Sequence, residues 1–189
     1  MILPVVKYGH PVLRQKGARL EKLTADLERL ITDMLDTMRA AAGVGLAAQQ
    51  VGRPLQLTVI DVRGIKDRPS TLEIAGETAD PPTFMPMVLI NPEIKPIGPP
   101  VAGPEGCLSF PEVYADITRP SVIDVTALNH EFKPITFRAG GLLSRAIQHE
   151  ADHLNGILFI DRMSKESRLE VAEEIKEIQT ATKEALKKA

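Results

Sequence analysis

Apolar residues recur with a helical period early in the chain. Leu23, Leu27, Leu30, Ile31, Met34, Leu35 and Met38 fall at i, i+4, i+7, i+8, i+11, i+12 and i+15, one face of an amphipathic helix. That stripe predicts a helix from about Thr24 to Ala42, stopped at Gly43. The runs Leu55–Val62, Met87–Ile94, Val122–Leu128 and Pro134–Phe137 are alternating or β-branched and predict antiparallel strands, with Asn129-His130-Glu131 turning between the last two. Lys66–Pro86 carries Pro69, Gly76, Pro81, Pro82 and Pro86 with little periodicity and reads as a long surface loop or insertion. Helical spacing returns over Gly141–Asn155, closed by Gly156. It appears again from Ser167, where Ser167-Arg168-Leu169-Glu170 matches a capping box ahead of the stripe Val171, Ile175, Ile178 and Leu186. Strands and helices that come in groups, without regular βαβ alternation, predict an α+β fold.

Composition narrows the class. The 189 residues are 43% hydrophobic and 25% charged, and 15 Pro with 13 Gly are too few for a disordered or collagen-like chain. That length suits one domain or at most two, and no repeat or composition break marks a boundary. A net charge of −2 supplies no basic field, which argues against a dedicated DNA or RNA binder. No apolar run approaches the roughly 20 residues that span a bilayer. The first residues, Met1 to Lys7, have neither the apolar core of a signal peptide nor the Arg/Ser richness of a transit peptide. The single cysteine, Cys107, excludes an internal disulfide and suits a reducing compartment. A soluble cytoplasmic protein is expected, or an organellar one if a transit peptide has been removed.

Within the predicted Gly141–Asn155 helix, His149-Glu150-Ala151-Asp152-His153 is an H-E-x-x-H pentad. Two His at i and i+4 share a face one turn apart, as they must to reach one metal ion. Leu142 lies within about 20° of both and Ala146 within about 60°, so the pair continues the inward apolar stripe. Glu150 falls at the edge of that face, where a carboxylate can serve as general base without being a ligand. The plainer alternative is a helix whose two half-buried His hydrogen-bond to backbone or acids. A metzincin-type third His is absent, because Phe159 stands third after Gly156. Cys107, in Glu105-Gly106-Cys107-Leu108-Ser109, is the natural third ligand, although a lone cysteine is ordinarily an inert buried residue. Gly43-Val44-Gly45-Leu46-Ala47-Ala48-Gln49-Gln50 permits close backbone approach, and the Gln50 amide can donate to an oxyanion; tight packing of a Gly/Ala turn explains the same residues.

Taken together, Gly43–Gln50, Glu105–Ser109 and Gln148–Gly156 resemble the three signature motifs of peptide deformylases, in order. The resemblance extends through His10–Arg14 and Gly156–Arg162 and so covers most of the chain. It implies one catalytic domain over residues 1–189, with antiparallel sheets packed around the metal-binding helix and helices at both ends. It implies a hydrolase that removes the formyl group from the N-terminal formyl-methionine of new polypeptides and releases formate. By the same resemblance the metal sits on Cys107, His149 and His153, Glu150 is base and acid, and Gln50 and the Leu108 N–H hold the oxyanion. The resemblance further implies backbone hydrogen bonds from Gly45 and Gly106 to the substrate; its unbranched, apolar methionine side chain is expected in a pocket lined in part by Val44 and Leu142, with Arg145 nearer the rim. The donor set suits Fe²⁺, Zn²⁺, Co²⁺ or Ni²⁺, and the resemblance favours Fe²⁺. The C-terminal helix, with Lys176, Lys183, Lys187 and Lys188, resembles the helical ending of bacterial and organellar members and implies weak, salt-sensitive ribosome contact. A zinc endopeptidase built on His149, His153 and Glu150 and a non-catalytic metal-binding or ribosome-interaction module are the rival readings; a purely structural site needs no base.

Overall fold

In the computed structural model, which describes residues 1–188, the first predicted helix is α1, Ala25–Ala40. The Thr24 side chain caps it by accepting from the Leu27 N–H at 3.2 Å, which satisfies one of the unpaired donors of the first turn. Strands β1 (Gly45–Ala47), β2 (Leu57–Ile60), β3 (Ser70–Ile74), β4 (Glu77–Ala79), β5 (Met87–Pro96), β8 (Val122–Leu128) and β9 (Pro134–Gly140) form one antiparallel sheet in the order β1-β2-β5-β8-β9-β3-β4. Strands β6 (Pro100–Cys107) and β7 (Phe110–Pro120) form a separate two-stranded ribbon. Helix α2 spans Gly141–Leu154, and the short α3 (Lys165–Glu170) leads into α4 (Ala172–Lys188).

Three apolar clusters hold these parts together. The stripe of α1 packs through Leu27, Leu30, Ile31, Met34 and Met38 on Leu46, Leu57 and Val59. Leu142, Leu143, Ala146 and Ile147 of α2 pack on Leu89, Ile123, Val125 and Phe137 of the sheet. Ile175 of α4 closes over Phe110, Ile117 and Phe159. Because α2 lies between sheet and ribbon, its residues are buried along most of its length, including both His of the pentad.

Lys66–Pro86 corrects the sequence reading. It is no structureless loop: it contains β3 and β4, and β3 joins the main sheet by pairing with β9, with Leu72 opposite Ala139. Strands of five and three residues are too short to show a period, and the pairing that creates them is with residues far away in sequence. The segment also builds the start of α2. Gly140 has no side chain to cap the helix, so the Pro69 carbonyl accepts from Leu142 N–H and the Ser70 hydroxyl from Leu143 N–H, both at 3.0 Å. Gly141, at φ +62°, permits this contact; a Cβ there would stand 2.1 Å from the Pro69 carbonyl oxygen.

Two further differences have local causes. The sequence carries no period for the β6–β7 ribbon, because Pro100, Gly103, Pro104 and Gly106 break any alternation in β6. A two-stranded ribbon tolerates them, since each strand has an edge free of ladder bonds. The final helical region starts at Ser164, whose hydroxyl accepts from Ser167 N–H at 3.1 Å, so the expected Ser167–Glu170 cap lies inside α3. Val171 then interrupts the helix before α4.

Candidate active site

Helix α2 presents His149 and His153 toward Cys107, which stands at the end of β6 beside the ribbon's bulged turn. One donor atom from each of the three lies within 4.8 Å of the others. The Cys107 Sγ to His153 Nε2 separation is 3.3 Å, close to the roughly 3.6 Å S···N edge of a tetrahedral site with ordinary zinc bond lengths. His149 binds the Glu105 carboxylate through Nδ1 at 2.9 Å, which fixes the ring and leaves Nε2 for the cluster. Thiolate plus two imidazoles is a donor set that divalent transition metals favour. The residues therefore fit a metal ion. A proton shared by Cys107 and its imidazole neighbours would compete for the same gap, so metal uptake there releases protons.

Glu105 is the residue whose role the sequence left unread. Its buried carboxylate accepts from Arg119 Nε at 2.6 Å and Nη2 at 3.0 Å and from Arg145 Nη1 at 3.0 Å, besides pairing with His149. Burial alone would raise its pKa, but the hydrogen bonds from His149 and Arg119 outweigh burial and hold it at about 2. Arg119 in turn meets Asp152, which also holds Arg162. The only local signal was that Glu105 opens the Glu105–Ser109 motif. Arg145, expected nearer the rim, lines the cleft and binds the Val101, Gly103 and Ile117 carbonyls through its guanidinium, which ties α2 to the ribbon.

Glu150 is buried beside this cluster, and its Oε2 has no hydrogen-bond partner. Burial pushes its carboxyl up to about 7. Gly45 makes room for it: a Cβ on Gly45 would stand 2.4 Å from Glu150 Oε1. Gln50, also buried, accepts from Ala47 N–H through Oε1 at 2.9 Å, which turns its amide nitrogen toward Ser109 Oγ at 3.3 Å and Cys107 Sγ at 3.5 Å. Lys7 donates to the Leu108 carbonyl at 2.7 Å and pins the turn after Cys107.

These groups open on a cleft of about 590 Å³ whose walls include Val44, Gly45, Gln50, Gly106, Cys107, Leu108, Leu142, Ala146, His149 and Glu150. His153 lies deeper, 1% exposed. Every site residue expected from the sequence is thus in the cleft or directly behind it.

The family profile described as polypeptide deformylase matches residues 2–169. The chain belongs to that family. It is 44% identical over 189 residues to the peptide deformylase of Opitutus terrae, covering 99% of this chain and 98% of that one. It is 47% identical over 178 residues to that of Methylacidiphilum infernorum, covering 94% and 93%. Among solved structures it resembles the Synechococcus elongatus peptide deformylase, crystallised with actinonin, with TM-score 0.78, 40% identity and coverage of 93% of this chain and 85% of that one. The Legionella pneumophila peptide deformylase gives TM-score 0.79 at 34% identity, covering 96% and 97%. Peptide deformylases are metal-dependent hydrolases, and both the α+β expectation and the family resemblance read from the motifs agree with these matches.

Proposed function

We propose that this protein hydrolyses the N-formyl group of formyl-methionyl nascent chains, with Cys107, His149 and His153 holding a divalent ion, Fe²⁺ in the cell. The observation that carries the reading is the convergence of three metal-fit donors beside a buried, unpartnered carboxylate at the open edge of β1. A divalent ion bound there supplies Lewis acidity, polarising the formyl carbonyl and acidifying water. The rest of the chemistry belongs to the chain.

Strand β1 ends the sheet, so one edge is free for an extended peptide. Asp61 N–H donates to the Val44 carbonyl at 2.9 Å, so by strand alternation the Gly45 N–H and C=O point away from β2, into the cleft. Gly106 offers its backbone from the opposite wall. The methionine side chain enters between Val44, Leu142 and Ala146. With the formyl carbon thus placed, Glu150 takes a proton from the attacking water and returns it to the leaving amine. A carboxyl lifted toward 7 by burial suits both directions of transfer near neutral pH. Gln50 Nε2 and the Leu108 N–H donate to the oxygen as it gains negative charge. The formyl carbon gains the water oxygen, the C–N bond breaks, and formate and a free α-amine leave.

No helix among the described residues is long and apolar enough to cross a membrane. A reducing compartment, the cytoplasm or an organelle interior, keeps Cys107 a thiol. The C-terminal end of α4, with Lys183, Lys187 and Lys188, makes a weak, salt-sensitive contact with the ribosome; Lys176 lies further back, near Glu173. The deciding experiment measures formate release from formyl-Met-Ala-Ser and metal content in one anaerobic preparation, with casein as a parallel substrate. Stoichiometric metal without deformylation, or casein cleavage instead, overturns the reading.

A further inference from the structure

Arg68 is the one cation of the cleft wall that nothing above employs. It lies half-buried in the same cleft as Leu142 and Glu150. The other basic groups nearby are engaged: Arg63 pairs with Asp61, Arg145 with Glu105, and Lys7 with the Leu108 carbonyl. Among the described residues, Arg68 has neither an ion pair nor a side-chain hydrogen bond, and the exposed acid of the rim, Glu112, stands on the ribbon side at β7. Its backbone is firmly placed, because the next two residues, Pro69 and Ser70, cap α2 at Leu142 and Leu143. A guanidinium held at a cleft mouth with its donors free is a receptor for an anionic group.

Geometry says which part of a substrate would meet it. In an extended peptide, alternate side chains share a face, so the third residue points the same way as the methionine, about 6.6 Å further along. If the methionine lies beside Leu142, the third side chain leaves the cleft over the segment that carries Arg68. We propose that Arg68 is a specificity residue that reads the third residue of the formyl peptide and favours Asp or Glu there. This rests on the deformylase reading above and adds the class of nascent chain the site prefers.

The test is kcat/KM on C-terminally amidated formyl-Met-Ala-Glu, formyl-Met-Ala-Gln and formyl-Met-Ala-Lys, with metal-loaded wild-type protein, Arg68→Gln and Arg68→Glu. Amidation removes the terminal carboxylate, which would otherwise present the same charge. The wild type is expected to prefer Glu over Lys by about three- to tenfold, the size of a partly exposed ion pair. The preference should sit in KM, since the contact is made equally before and during reaction, and it should shrink as salt rises. Arg68→Gln is expected to level the three peptides and Arg68→Glu to invert their order, which a general loss of folding cannot do. An order unchanged across the three proteins overturns the proposal. Failure of the wild type to deformylate any of the peptides overturns the deformylase reading instead.

Discussion

Replacing Glu105 with Gln removes one charge from a buried network and tests how that network holds the metal helix. Each carboxylate oxygen accepts at least two donors, Oε1 from Arg119 and Arg145 and Oε2 from Arg119 and His149. A Gln amide nitrogen placed in either position faces N–H groups with a donor of its own, so no rotamer preserves the network. In either rotamer the remaining amide oxygen accepts one Arg119 N–H, but the charge is gone and Asp152 is left as the guanidinium's one anionic partner. Depression of the Glu105 pKa from 4.5 to about 2 corresponds to about 3 kcal/mol of stabilisation, in line with the 3–5 kcal/mol typical of breaking one side of a buried ion pair. Glu105→Gln is therefore expected to lower Tm by about 6–12 °C. With the amide nitrogen at the Oε2 position the His149 ring loses the acceptor that orients it, and with the oxygen there it faces a neutral acceptor in place of a carboxylate, so metal affinity should fall by about 10–100-fold. Thermal unfolding and competition against a chelator measure the two losses separately. The pH dependence has a definite sign: a carboxyl with a depressed folded pKa stabilises above its unfolded value and loses that contribution as pH falls toward about 2. The stability gap between wild type and variant should thus be flat from pH 7 to pH 5 and narrow at more acid pH. Equal Tm and equal metal affinity at pH 7 would show that Glu105 neither stabilises α2 nor orients His149.

Three other substitutions test the remaining roles. Glu150→Gln is expected to retain bound metal while deformylation falls by about 10²–10⁴-fold, the usual worth of general acid–base catalysis; near-normal turnover with full metal content would remove Glu150 as the base. Cys107→Ala should lose metal stoichiometrically, which metal analysis of the folded variant measures, and full occupancy would exclude Cys107 as a ligand. Gly45→Ala places a methyl where Glu150 Oε1 stands, so circular dichroism and metal content should stay near normal while kcat falls at least tenfold; unaltered kcat would show that Glu150 moves aside without consequence.

Much of the site was legible because its parts are local. Two His four residues apart on an apolar stripe, with Glu150 beside them, are a property of helical periodicity and need no knowledge of the fold. The same holds for α1, whose buried residues follow the stripe read from Leu23 to Met38, and for α2. What periodicity cannot carry is contact between distant segments. Cys107 reaches His153 only because β6 and β7 pair into a ribbon, and that ribbon is hidden in a sequence broken by Pro and Gly. Glu105 acquires its meaning from Arg119, Arg145 and His149, each brought by a different element. Lys66–Pro86 became strand and helix cap because β9 and the unpaired N–H groups of α2 were there to meet it. Donor geometry and apolar period are encoded residue by residue, whereas hydrogen-bond partners across the chain are chosen by packing. The ligand types were therefore determined by the sequence, and their orientation, burial and pKa by the tertiary structure.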